Sequence, residues 1–263
     1  MRVTREAGIT VPLTTVDQPL DSMLRDGSLP GLHKTASFGS RAAERLKTLR
    51  ANQHTGPLMC AEFWDGWFDW WGGVHHTTDA AAVATELHVM LAQGASVNFY
   101  MFHGGTNFGL TNGANDRGRY LPIVTSYDYD APLDEAGRVT EKFRRFREVI
   151  SNHAPVPPWD ADLLGPEAAE PAAEPSLASV VIDVPLQPAG NWAPREADAP
   201  VTPHPPTFEE RDHLSAIMRY DVALRERWEG IRTLAFAEVR DFARVFVDGV
   251  PVGTISRTRK ERS

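Results

Sequence analysis

Cysteine is almost missing from this chain: there is one, Cys60, among 263 residues. A lone thiol builds neither an intrachain disulfide nor a thiolate metal site. In an apolar stretch it reads as a small buried hydrophobe. No apolar run approaches the ~20 residues of a membrane span. The opening residues, Met-Arg-Val-Thr-Arg-Glu, lack the apolar core of a secretory signal, so the chain as written is expected to stay in the cytoplasm. Positive charge is in deficit, with a net charge of −8, which argues against a nucleic-acid partner. Zinc-type spacing is lacking too. His75 and His76 are adjacent, and adjacent strand residues point to opposite faces. Gly104-Gly105-Thr106-Asn107 is not followed by the Gly-Lys-Ser/Thr ending of a phosphate loop. No metal, nucleic acid or membrane is therefore expected, and there are no internal repeats.

What is present is the composition of a soluble globular protein, 42% hydrophobic and 24% charged. The length suits one large or two ordinary domains. The stretch from Pro57 to Gly72, Pro-Leu-Met-Cys-Ala-Glu-Phe-Trp-Asp-Gly-Trp-Phe-Asp-Trp-Trp-Gly, organises the rest. It begins as a short strand-like apolar run and reaches one carboxylate, Glu62. Trp64, Trp67, Trp70 and Trp71 follow. A charge at the end of a buried strand is costly unless it is paired or used. One reading is a salt-bridged strand end beside a core aromatic cluster, since aromatics chiefly supply buried area. The other is a sugar cleft, where rings stack on C–H faces and polar groups take the hydroxyls.

Residues 1–8 read as a helix end stopped by Gly8. Strands are expected over Ile9–Asp17, Lys34–Phe38, the Glu62 stretch and Ser96–Phe102. A helix from Ser40 to Ala51 places Ala43, Leu46 and Leu49 on one side. Another follows a cap at Thr78 or Asp79, with Val83, Leu87, Met90 and Leu91 at i, i+4, i+7 and i+8, and Gly94 stops it. A Gly/Asn-rich loop runs to Gly118. Thr140 opens a last helix with Phe143, Phe146, Val149 and Ile150 along one side. Alternating strands and helices predict a parallel α/β fold. Thirteen of the twenty prolines fall within residues 154–206, which predicts an extended linker, with one short strand at Val180–Val184. From Leu214 the pattern reads as antiparallel β: Met218–Leu224, Ile231–Phe236, Ala243–Val247 and Val250–Ile255. Asp248-Gly249 marks a tight hairpin between the last two.

The Glu62 stretch resembles the nucleophile strand of glycoside hydrolase family 35, the β-galactosidases. So do Gly94-Ala95-Ser96-Val97-Asn98-Phe99-Tyr100-Met101-Phe102-His103-Gly104-Gly105-Thr106-Asn107-Phe108-Gly109 and Thr125-Ser126-Tyr127-Asp128-Tyr129-Asp130-Ala131-Pro132-Leu133, in the family's order and spacing. Three long matches in order are far more specific than one short motif. The resemblance is clear from about Gly8 to Ile150 and continues more weakly from about Leu214 to Ile255. It implies that residues 1–153 are the C-terminal half of a (β/α)8 TIM barrel, strands five to eight. Residues 154–206 would then be the linker, and residues 207–263 the start of a jelly-roll-like β-sandwich.

The resemblance also implies retaining hydrolysis of terminal β-D-galactose, with Glu62 as nucleophile and no cofactor. Two carboxylates flank the scissile bond in that chemistry. The family's acid/base lies in an Asn-Glu-Tyr-Gly motif upstream of the nucleophile, and this sequence contains no such motif. Asp17, at a strand end, is a shorter carboxylate on another strand and a poor substitute; it and the Asp65 and Asp69 that closely follow Glu62 read instead as makers of loop or cap hydrogen bonds. Tyr129 matches a tyrosine that contacts the sugar and lies near the nucleophile, or is a buried aromatic with a satisfied hydroxyl. Trp64 and Trp67 are either platform or core residues, and Asn98 faces either the site or a neighbour. Leu110 stands where some members carry a contacting Tyr, and Trp70 where relatives often have His. The expected partners are a β-galactoside and either a second copy or the missing N-terminal half. The rival expectation is an inactive fragment or weak carbohydrate-binding remnant.

Overall fold

The computed structural model describes residues 2–108, 111–116, 118–165, 201–213, 217–224, 230–231 and 233–257. In chain order these carry α1 (Arg2–Glu6), β1 (Thr14–Asp17), α2 (Asp21–Asp26), β2 (His33–Phe38), α3 (Ala42–Asn52), β3 (Met59–Trp64), α4 (Ala80–Ala92) and β4 (Ser96–Tyr100). Then come β5 (Ala114–Asp116), β6 (Tyr120–Pro122), α5 (Glu141–Ser151), α6 (Ala161–Leu164), a 3-10 turn at Glu209–Arg211, β7 (Phe242–Val247) and β8 (Val250–Ser256). They fall into two compact units. One joins the residues up to Thr106 to the stretch from Ser126; the other joins Asn107–Thr125 to the C-terminal part.

The first unit is α/β. Its sheet has the order β1-β2-β3-β4 with every pairing parallel. Parallel neighbours need a crossover, and α3 and α4 supply two of them. The first strand is shorter than expected. Its pairing starts at Thr14 opposite His33; before that Pro12 has no N–H to offer a ladder. The fourth ends at Tyr100 because the Phe102 carbonyl accepts instead from Leu133 N.

The long helices bury part of the stripe their spacing predicts: on α5 only Phe146 of Phe143, Phe146, Val149 and Ile150 is fully buried, and on α4 Leu91 is only partly so. On α4, Val83, Ala84, Leu87 and Met90 are buried, and Asp79 caps the helix by accepting from Ala82 N at 2.8 Å. On α3 the buried set is Ala42, Leu46 and Leu49. Ala42 takes the place expected for Ala43, because position i−4 from Leu46 shares its face and i−3 here points out. The helices close over one core. At its centre Phe63, Phe99 and Phe146 meet, with ring centroids 5.3–6.1 Å apart. That joins the Glu62 strand to α5 through aromatic contact, an arrangement whose area burial dominates local stability.

The second unit is built from two antiparallel hairpins, β5–β6 and β7–β8. The Asp248-Gly249 turn has positive φ at both residues, 49° and 81°, as a two-residue primed turn demands. Tyr120 and Phe242 stack at 6.0 Å. The strands expected at Met218–Leu224 and Ile231–Phe236 do not form at the described positions there. Apart from the partly buried Met218, their apolar residues are exposed, Ile231 fully so. Without a partner strand or a face to bury, β-propensity alone does not order a segment. The strand expected at Val180–Val184 lies outside the described residues. Among the described residues no helix is long and apolar enough to cross a membrane.

Phe63 sits in the three-ring core with no exposure, whereas Asp79 supplies only a cap. In chemical denaturation Phe63→Ala should lower stability by about 3–5 kcal/mol and Asp79→Ala by about 1 kcal/mol. Equal losses would contradict this placing of the core.

Candidate active site

Glu62 owes its direction to an irregularity in β3. On one side Ala36 pairs with Cys60 and Ser37 with Glu62; on the other, Cys60 pairs with Val97 and Phe63 with Phe99. Against β2 Ala61 is the extra residue, and against β4 Ala61 and Glu62 face the single Asn98, a β-bulge. A regular strand alternates faces every residue, yet Cys60 and Phe63, three apart, both lie in the core. The bulge switches the parity, and Glu62 and Trp64 come to share the other face. Asn98 supports it from β4: its Nδ2 donates to the Ala61 carbonyl at 3.0 Å. Asn98 therefore touches its neighbour strand one residue before Glu62 while remaining exposed.

The half-buried Glu62 carboxylate accepts from Trp64 Nε1 at 3.2 Å. Trp64 meets Trp67 edge-on at 5.9 Å, and Trp67 stacks on Phe68 at 4.7 Å and lies 6.5 Å from the Tyr129 ring. Glu62, Trp64, Trp67 and Tyr129 are thus one continuous cluster. Tyr100 and Tyr127 complete it, each with its ring 5.6 Å from that of Tyr129. The Tyr100 and Tyr127 hydroxyls are 3.4 Å apart. Burial, followed by neighbouring phenols and the Glu62 charge, holds the Tyr127 and Tyr129 hydroxyls well above the ordinary phenol range. Both remain protonated donors at any working pH.

The turn carrying Tyr129 is held by close backbone approach. Tyr129 and Asp130 are consecutive left-handed residues, φ 64° and 52°, a conformation that costs an L-residue roughly 1–2 kcal/mol. A Cβ on Gly66 would lie 1.6 Å from the Tyr129 carbonyl oxygen, and one on Gly104 would lie 1.7 Å from that of Tyr127. Both positions therefore require glycine. Lys142, on α5 and 3% exposed, donates to Asp65 O at 2.7 Å, to Asp130 O at 2.5 Å and to Asp130 Oδ2 at 2.6 Å. Thr78 adds hydrogen bonds to Asp130 Oδ2 from its N–H and its hydroxyl.

Asp69 accepts from both rings of the His pair, His75 Nδ1 at 2.6 Å and His76 Nδ1 at 2.8 Å, and from His76 N. Burial pushes the Asp69 carboxyl up, but those hydrogen bonds outweigh it and hold the group below its usual range. Trp70 packs on His76 at 4.7 Å. Among the described residues no group of three or more His, Cys, Asp or Glu is placed to hold a metal ion. Asp17 ends β1, with β2 between it and β3, so two strand spacings of ~4.8 Å separate it from the Glu62 strand. Leu110 lies outside the described residues.

Sequence reasoning misses Lys142, Tyr100 and Tyr127, and it expects loop or cap hydrogen bonds from Asp65 that its carboxylate does not make among the described residues. A signal for Lys142 is available: it stands four residues before Phe146 on the apolar side of α5, and those two are the buried residues of that helix. Asp65 has no exposure, and neither of its carboxyl oxygens has a hydrogen-bond partner among the described residues. Burial pushes its carboxyl up to about 7, against the pull of Lys142 and of the nearby Asp65 and Met101 backbone groups, which lie outside hydrogen-bond geometry.

An unfolded Asp65 ionises near 4 and the folded one near 7. Between those values the folded chain holds the extra proton, so stability declines as pH rises and is level above about 7. The whole decline is about 4 kcal/mol from this group. Asp65→Asn should flatten it, raising stability at pH 8 while leaving pH 4 nearly unchanged in urea titrations. An unaltered pH slope in that variant would refute the assignment.

A family model for glycosyl hydrolases family 35 matches residues 1–153. The mouse beta-galactosidase-1-like protein is 49% identical over 152 residues, 57% of this chain and 23% of that protein. The beta-galactosidase of Macaca fascicularis is 37% identical over 261 residues, 96% of this chain and 36% of that protein. The human beta-galactosidase is 36% identical over 266 residues, 97% of this chain and 37% of that protein. The chain spans less than two fifths of the length of these relatives. With more than half of its residues matched by the family model, the chain belongs to glycosyl hydrolase family 35.

Proposed function

We propose that this chain carries the nucleophile side of a retaining β-galactosidase site. The observation that supports this most directly is Glu62, turned by the bulge at Ala61 onto the face where Trp64 and the tyrosine cluster gather. On this reading residues 1–153 are the C-terminal half of the catalytic (β/α)8 barrel. Residues 154–206 link it to residues 207–263, the start of a jelly-roll-like sandwich. The polar, Gly-rich loops follow the strand C-termini, where such barrels hold their sites.

A Glu62 carboxylate oxygen attacks the anomeric carbon of a terminal β-galactoside. The glycosidic C–O bond breaks, the leaving oxygen departs, and a covalent galactosyl–Glu62 ester remains. Water then attacks the same carbon from the other side, releasing galactose with net retention. Trp64 Nε1–H steadies the carboxylate, Trp67 shapes the wall beside it with Tyr129, 1% exposed, packed behind, and Asn98 fixes the strand and reaches the cleft. Protonation of the leaving oxygen belongs to the family's Asn-Glu-Tyr-Gly glutamate, which these 263 residues do not contain. The complementary barrel half is accordingly the expected partner besides the sugar. A second reading, a remnant that binds sugar weakly without turning it over, is favoured by that same lack of an acid.

The two readings separate by leaving group. A dinitrophenyl β-galactoside needs no protonation, whereas an alkyl β-galactoside does. The first reading expects the purified chain to cleave the dinitrophenyl substrate, with azide accelerating turnover. Alkyl galactosides should lag by the further 10²–10⁴-fold, approximately, that a general acid supplies. Glu62→Gln should abolish the cleavage. A folded chain that leaves the dinitrophenyl substrate intact would sink the enzymatic reading and leave the binding one.

A further inference from the structure

We propose that Lys142 is a positioning residue: its ammonium ties the backbone just after Glu62 to the backbone just after Tyr129 and so fixes the Tyr129 ring beside the nucleophile. The inference rests on the reading of Glu62 as nucleophile. Lysine has three N–H donors, and all three are engaged here: the Asp65 carbonyl, the Asp130 carbonyl and Asp130 Oδ2. Two of the three acceptors are backbone groups from loops that are remote in sequence. Asp65 lies three residues beyond Glu62 and one beyond Trp64; Asp130 directly follows Tyr129. The two loops also meet through Gly66 against the Tyr129 carbonyl and through Thr78, whose hydroxyl reaches both Asp65 O and Asp130 Oδ2.

The tie is needed because the Tyr129–Asp130 turn is left-handed at two successive non-glycine residues. Such backbone persists only when its surroundings over-determine it. Lys142 supplies that constraint from a helix anchored by Phe146 in the core. Its charge is neutralised by the partly exposed Asp130 carboxylate, and removing that partner would leave the buried ammonium uncompensated. That effect on folding must be separated from the effect on geometry.

The separating experiment uses the full chain and three forms: wild type, Lys142→Met, and Lys142→Met with Asp130→Asn. The double variant removes both charges, while the amide oxygen introduced by Asp130→Asn still accepts from Thr78. Glu62 is probed with dinitrophenyl 2-deoxy-2-fluoro-β-galactoside, which traps the nucleophile covalently, and labelling is followed by intact mass and peptide mapping. Thermal melting is measured alongside. We expect wild type to be labelled at Glu62 and both variants to label about 10²-fold more slowly, the scale of an ångström-sized misplacement. The double variant should regain most of the lost melting temperature without regaining the labelling rate. Wild-type labelling in either variant would overturn the proposal, as would labelling that recovers in step with stability.

If wild type itself is not labelled, the nucleophile reading fails, and with it the catalytic part of the inference. The tie is then judged by hydrogen exchange at Tyr129–Ala131. Those amides should exchange as slowly as β3 in wild type and faster in the double variant, with β3 unchanged. Exchange at open-loop rates in wild type would overturn the tie, even where neither variant folds.

Discussion

A buried ammonium must find its acceptors inside the protein, and here that requirement organises the site. Lys142 sits on α5 beneath the loops, and its bonds end on the segment after β3 and on the turn that carries Tyr129. The aromatic core fixes where α5 lies, because Phe146 packs against Phe63 and Phe99. Packing thus sets the helix, the helix sets the ammonium, and the ammonium sets the loops. Desolvating a charge is expensive, and the arrangement persists because donors and acceptors match in number.

Glu62 depends on a second, smaller constraint. A carboxylate in the middle of a parallel sheet would ordinarily fall on whichever face its parity assigns. The extra residue at Ala61 lets Cys60 and Phe63 both enter the core while the carboxylate turns to the open face. Asn98 meets the carbonyl that the irregularity exposes. Bulges are found beside active sites because they re-aim a side chain without disturbing the rest of the sheet. The three constraints around Glu62 are of different kinds: a register shift in β3, an indole hydrogen bond from Trp64, and a ring cluster gathered about Tyr129.

The parts legible in the sequence are those governed by period and by local turn chemistry. The four parallel strands, the stripe of α4, the Asp79 cap and the Asp248-Gly249 hairpin follow from spacing and residue type alone. The bulge does not, because it changes pairing rather than composition. The β5–β6 hairpin reads as loop: Ala114-Asn115-Asp116 has residues that strands disfavour, and only tertiary pairing makes it one. Met218–Leu224 and Ile231–Phe236 err in the opposite direction, with strand-like residues and no partner. Lys142 escapes notice because a cation on a helix usually marks the solvent side. Asp65 stands in plain view beside Glu62, but its full burial depends on contacts from residues far along the chain.

The Lys142–Asp65 bond joins residues 77 positions apart, while the helical and turn contacts around it are local. Closing a longer loop carries a larger entropic penalty, and contacts of wide sequence separation become favourable only after the intervening elements have formed. On that ground the Tyr129 turn is expected to dock on the β3 loop after the helices and adjacent strand pairs have formed. A chain caught short of that final docking would keep its sheet and most of its helix content while having no formed site, so spectroscopic foldedness and competence are different states of this molecule.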